Sequence, residues 1–200
     1  MKKTAYALGG VGLLAFIAIW LNLQSDAILQ LDTTAAHWFK GNQLLAVFHY
    51  IGEPMFVVII VALLMVFLWL RKNYRAMFFV LIANAGGMVL NQAFKYVIHR
   101  PRPERLEQLS SFSFPSGHSM GGIIYLFTLA YIFSHYTTSQ KRAYIVWLGA
   151  VILTILIGLS RIAESRHFGS DVLGGFSLGF AWFMLIVFWY EYRERVIKRQ

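Results

Sequence analysis

At 200 residues, 58% hydrophobic and only 14% charged, the chain falls well short of the roughly 25% charge of a soluble domain. It has no cysteine, which excludes disulfides and thiolate metal sites. Its net charge of +9 sits at the ends of apolar runs rather than on one polar face, which fits a membrane and not nucleic acid.

No Pro/Gly/Ser-rich linker or internal repeat divides the sequence, so residues 1–200 read as a single membrane-embedded domain. Six apolar segments, at 5–23, 54–70, 76–94, 119–135, 143–160 and 172–190, each approach the roughly 20 residues that cross the hydrocarbon core as a helix. The predicted fold class is therefore an all-α membrane protein with six transmembrane helices. The first segment follows Lys2 and Lys3, and its nineteen residues exceed a signal-peptide core of about 7–15, so a retained anchor is expected.

In the connection at 24–53, Leu29, Leu31, Trp38, Phe39, Leu44, Leu45 and Phe48 alternate with polar residues. The pattern predicts an amphipathic segment lying in the headgroup layer, with His37 and His49 as interfacial side chains. Asn84, Asn91 and Gln92 with Gly86-Gly87 are expected to pack and hydrogen-bond between helices, and Gly121-Gly122 and Gly174-Gly175 to do the same.

The stretch from Lys95 to Ser119 holds Lys95, His99, Arg100, Arg102, Arg105 and His118 between two apolar runs. Cations beside a bilayer are costly unless they lie at an interface or serve a site, so this loop points to a bound anion. Its end, Pro115-Ser116-Gly117-His118, has a proline suited to a first helical turn and a glycine that permits close approach. A helix starting there aims the amides of Ser116, Gly117 and His118 at one point, as a phosphate site requires. Further on, Arg161 closes the fifth segment and His167 precedes Asp171 by four residues. A carboxylate against one imidazole nitrogen fixes the tautomer and raises the basicity of the other. The pair suits a nucleophile or a general base, and equally a capping Asp beside a surface His.

Two sets of loops alternate across the membrane. One, with both chain ends, holds eleven Lys and Arg against Glu191 and Glu194; the other holds seven basic and seven acidic residues. The positive-inside rule makes the first set cytoplasmic. Lys95, Arg102, Ser116–His118, Arg161, His167 and Asp171 then converge on the extracytoplasmic face.

Lys95-x6-Arg102-Pro103, Pro115-Ser116-Gly117-His118 and Ser160-Arg161-x5-His167-x3-Asp171 together resemble the three-part signature of the type 2 phosphatidic acid phosphatase family. The subgroup most resembled is the bacterial membrane phosphatases acting on phosphatidylglycerol phosphate and, in some members, undecaprenyl diphosphate. The resemblance implies that His167 is the nucleophile and forms a phosphohistidine, that Asp171 orients it, and that His118 protonates the leaving oxygen. It further implies that Lys95, Arg102, Ser116, Gly117 and Arg161 hold the phosphate, with no metal and no cofactor. The implied partners are the membrane and a phospholipid or polyprenyl phosphate substrate, with no nucleic acid. Glu164 and Arg166 depart from the apolar or small residues usual between Arg161 and His167; they are expected to pair with each other, the alternative being that Arg166 reaches a second anionic group. Undecaprenyl diphosphate hydrolysis is the alternative activity. An anion or lipid transporter is the alternative from another class, disfavoured by the lack of an inverted repeat.

Overall fold

The computed structural model describes residues 2–104 and 111–197; Arg105, Glu107, Lys198 and Arg199 of the charge tally lie outside them. All regular elements among the described residues are helical. They run as α1 (Lys2–Leu21), α2 (Asp26–Phe39), the short α3 (Gln43–Ala46) and α4 (His49–Gly52), α5 (Pro54–Leu70), α6 (Tyr74–Leu81), α7 (Gly87–Ile98), α8 (Gly117–Tyr136), α9 (Gln140–Ala163) and α10 (Gly169–Ile197).

The helices gather around α8. Ile124, Tyr125 and Ala130 on it are almost wholly enclosed, as are Ile157 of α9 and Phe183 of α10. Helices approach closely where glycine leaves room: a Cβ on Gly175 would stand 2.7 Å from the Ser116 carbonyl, and one on Gly87 2.5 Å from Ile124. Gly86, Gly122 and Gly174 face neighbouring side chains in the same way, whereas nothing lies within 4 Å of a Cβ on Gly121, which is not a packing glycine. Leu63, Val89 and Leu148 on the outer face are each more than 60% exposed, an apolar surface too extensive for a protein immersed in water.

Three helices are long and apolar enough to cross a membrane alone: the unit Tyr74–Ile98, α9, and Gly169–Arg193 of α10. Counting the bent pairs α1–α2 and α3/α4–α5 as one span each brings the number to five. α8 stands outside that set; its twenty residues include His118, Ser119, Thr128, Ser134 and His135, and its apolar side chains are largely turned to protein.

The predicted span at 76–94 extends to Tyr74–Ile98 and contains a π-helical turn at Ile82–Gly86. A π-turn spoils the i→i−4 ladder locally, and there the Ala83 carbonyl accepts a hydrogen bond from Trp182 Nε1 at 2.9 Å. Of the three polar residues expected to bond between helices, Asn91 does so, its amide reaching the Pro115 carbonyl at 3.3 Å. Asn84 bonds its own turn through the Val80 carbonyl, and Gln92 is exposed; both expectations are corrected. At the end remote from these loops, Glu191 accepts hydrogen bonds from Tyr6 (2.9 Å) and Tyr131 (3.3 Å), tying α1, α8 and α10.

The 24–53 connection is helical and α2 turns 99° from the axis of α1. Ser25 caps it, its hydroxyl accepting from the Ile28 amide. Trp38 is 73% exposed, while Asp32 on the opposite face is buried.

Candidate active site

His167 lies in the loop between α9 and α10, where its own amide bonds back to the Arg161 carbonyl at 3.2 Å. The side chain is 4% exposed. Nδ1 is 3.4 Å from Asp171 Oδ2, and Nε2 is 3.2 Å from Arg102 Nη1. An arginine nitrogen only donates. Nε2 therefore accepts, and the ring proton belongs on Nδ1, which lies in ion-pair contact with the carboxylate but short of hydrogen-bond alignment. Burial pushes the imidazole down to about 4, opposed by the adjacent Asp171 carboxylate and aided by the charges of Arg102 and Lys95. Near neutral pH the ring is uncharged with a lone pair on Nε2.

Asp171 opens α10 and is fully buried. Its Oδ2 also accepts from the Phe168 amide at 2.9 Å, fixing the loop before the helix. Its backbone carbonyl accepts from the Ser116 amide at 3.0 Å. The predicted cradle of three amides is corrected accordingly: Ser116 N–H is occupied, and the first-turn amides of Gly117 and His118 remain. Ser116 instead supplies the N-cap of α8, its hydroxyl accepting from Ser119 N at 3.4 Å and hydrogen-bonded to Ser119 Oγ at 2.9 Å. A Cβ on Gly117 would meet Asn91 Oδ1 at 3.2 Å, a tight contact that the Asn91 side chain would have to yield to.

The cations arrive from three directions. Lys95, buried in α7, donates to the Phe112 carbonyl. Arg102 spans the loops, donating to the Ser111 carbonyl, the Ser111 hydroxyl and the Arg166 carbonyl, each at 2.8 Å. Arg161, 5% exposed in the last turn of α9, pairs with Glu164 at 2.5 Å. His118 stands apart from the His167–Asp171 knot, its Nε2 3.3 Å from Glu53 at the α4–α5 corner.

The expected pairing of Glu164 with Arg166 is corrected. Glu164 takes Arg161 on one oxygen and His49 Nδ1, at 3.1 Å, on the other. In helical arithmetic Arg161 is one turn from Glu164 and so the nearer cation. His49 is thus drawn to the rim of the site and is not simply an interfacial side chain.

Sequence reading missed Asp32, and it set Arg100 among the loop cations for a bound anion, where the structure gives it two carboxylates. Arg100 Nη1 donates to Asp171 Oδ1 at 2.6 Å and Nη2 to Asp32 Oδ2 at 2.7 Å. A signal for Asp32 was present: Ile28, Leu31, Ala35 and Phe39 place it on the apolar stripe of α2, where an acid needs a buried partner. A cleft of about 530 Å³ opens beside the knot, with Asp32, Arg100, Ile162, His167 and Phe168 in its wall. Among the described residues no group of three or more His, Asp or Glu side chains is placed to hold a metal ion.

A sequence profile described as the PAP2 superfamily matches residues 74–195. The chain is 33% identical over 170 residues to phosphatidylglycerophosphatase B of Bacillus subtilis (strain 168), spanning 84% of this chain and 74% of that protein. It also resembles the crystal structure described as the first transmembrane PAP2 type phosphatidylglycerolphosphate phosphatase from Bacillus subtilis. That likeness has a TM-score of 0.77 at 30% identity and covers 92% of this chain and 96% of the other.

Proposed function

This chain belongs to the PAP2 superfamily, and on that premise we propose that it converts phosphatidylglycerol phosphate to phosphatidylglycerol through a phosphohistidine on His167. The observation that carries this reading is the lodging of His167 between Arg102 at Nε2 and Asp171 at Nδ1. That arrangement supports a neutral nucleophile whose developing positive charge is met by a buried carboxylate.

In the first step Nε2 bonds to phosphorus as the phosphorus–alkoxide bond breaks, and His118 gives its proton to the leaving oxygen. In the second, water loses a proton to His118 while its oxygen attacks phosphorus, the P–N bond breaks, and inorganic phosphate leaves. Lys95, Arg102, Arg161, the Gly117 amide and the first turn of α8 capped by Ser116 would balance the phosphate charge. The cations supply the role a metal fills elsewhere, so the reaction is metal-independent in this reading. All six apolar segments span the membrane, α8 included, with α2 in the headgroup layer and the site on the extracytoplasmic face of the cell membrane.

The test is leaving-group dependence. His118→Ala should lose about 10²–10⁴ in rate on the lipid yet retain turnover of an activated aryl phosphate, whose leaving group needs no proton. His167→Ala should lose both. Aryl phosphatase activity in His167→Ala, or equal losses in both variants on both substrates, would sink the assignment. A panel of phosphatidylglycerol phosphate, phosphatidic acid and undecaprenyl diphosphate identifies the substrate, and no phosphate release from any of them would leave transport as the better account.

A further inference from the structure

We propose that Arg100 and Asp32 are positioning residues for the His167–Asp171 pair, forming with it a charge-alternating chain that ends on the interfacial helix α2. The inference rests on His167 acting as nucleophile.

Each oxygen of the buried Asp171 is committed. Oδ1 accepts from Arg100 at 2.6 Å. Oδ2 accepts from the Phe168 amide at 2.9 Å, leaving one direction toward His167 Nδ1. The carboxylate cannot turn away from the ring without breaking these bonds. Arg100 is held in turn by the Ser170 hydroxyl at 2.7 Å, by Asp32 at 2.7 Å, and by the Phe168 ring, whose centroid is 4.3 Å from its guanidinium carbon. Asp32 accepts from the Ser170 amide at 2.8 Å and from the Ser170 hydroxyl at 2.9 Å, so an acid on α2 caps the start of α10.

The charges explain why both residues are needed. Arg100 paired with Asp171 alone would neutralise it, and the carboxylate would do little for a positive charge growing on His167. With Asp32 on its other arm, Arg100 is shared between two acids, and the chain keeps a net negative charge facing the imidazole. Lys95 from α7, Arg102 from the loop beyond it and Asp171 from α10 also act on His167. His118 from α8 is within electrostatic reach of both His167 and Arg161 of α9. The chain to Asp32 opposes that cationic surround.

Four proteins in detergent would be compared: wild type, Asp32→Asn, Arg100→Lys and the double variant Asp32→Asn/Arg100→Gln. Asp32→Asn leaves Arg100 wholly to Asp171. It should lower kcat and the single-turnover rate of phosphohistidine formation about 10- to 100-fold, the scale of losing an outer partner of a functional histidine. KM should stay within about twofold, since no substrate contact is removed, and the acid limb of kcat/KM should move to lower pH. Arg100→Lys, unable to bridge both acids, should show a similar kcat loss. The double variant removes the cation along with its balancing acid, restores the charge of Asp171, and should run at least about fivefold faster than Asp32→Asn.

A lowered melting temperature with kcat and acid limb unchanged in Asp32→Asn would make the chain a structural staple and overturn the inference. A double variant no faster than Asp32→Asn would overturn it as well. If Asp32→Asn does not fold, unchanged kcat in Arg100→Lys decides against the inference. Absence of phosphohistidine in the wild type is a different failure, that of the nucleophile assignment.

Discussion

At the scale of single residues, the side chain that decides the chemistry is His167. Its imidazole sits near 4 rather than at the usual 6.5, with burial as the main cause. A lowered value means the neutral form persists as pH falls and is lost only near 4. In the free enzyme the acid limb of kcat/KM, corrected for ionisation of the substrate phosphate, should therefore lie near 4; a limb at about 6.5 would mean the ring is solvated. Glu164 supports a second prediction. It occupies Arg161 at 2.5 Å, on the guanidinium a phosphate would use. Glu164→Gln should lower KM about two- to fivefold with kcat unchanged, because it frees a buried guanidinium to pair with the phosphate. Isotherms for vanadate, measured on both proteins, check the same point without turnover.

At the scale of elements, the site depends on how closely α8 meets α10. Gly175 makes that approach feasible, since a Cβ there would come within 2.7 Å of the Ser116 carbonyl. The amide of the same Ser116 is bonded to Asp171, so phosphate-facing turn and nucleophile support move together. Gly175→Ala should cost about 1–3 kcal/mol of stability, and it should lower kcat by separating the turn from His167, both read from thermal melts and phosphate release. Much of this level was legible in the sequence. The start of α8 just after Pro115 was readable, as was the four-residue spacing of His167 and Asp171, although His167 precedes the first turn of α10. The partners of Arg100 were not legible, because Asp32 lies 68 residues away and only the sharp turn after α1 brings it there. Nor was the choice of Arg161 over Arg166 by Glu164, since the predicted segment ended at Ser160 and helical spacing applies only because α9 runs on to Ala163.

For the molecule as a whole, the apolar segments and the charge asymmetry of the loops were plain from sequence. They lead to an orientation that can be checked directly. A cysteine replacing Lys40, exposed in the turn after α2, should react with an impermeant maleimide on intact cells, while a reporter fused after Gln200 should report the cytoplasm. Labelling only after permeabilisation would invert the arrangement. Chelators should leave phosphate release largely intact because cationic side chains already surround the site. Loss of activity in EDTA, restored by magnesium, would point to a carboxylate site outside the set described above.

The enclosure of α8 has a consequence for biosynthesis. Its Thr128 and Tyr125 are buried among other helices, so much of its apolar surface is spent on protein and little is left to face lipid. Such a segment gains less than its neighbours from partitioning into hydrocarbon by itself. The helices that enclose it most closely, α9 and α10, are also the ones synthesised after it. During translation α8 would wait at the membrane until they emerge, and the three would enter as a hairpin-and-partner unit. Ribosome-bound chains carrying the sequence to Tyr136 followed by a tether long enough to clear the exit tunnel should accordingly leave α8 accessible to water-borne reagents, and the same tether placed after Gln200 should not.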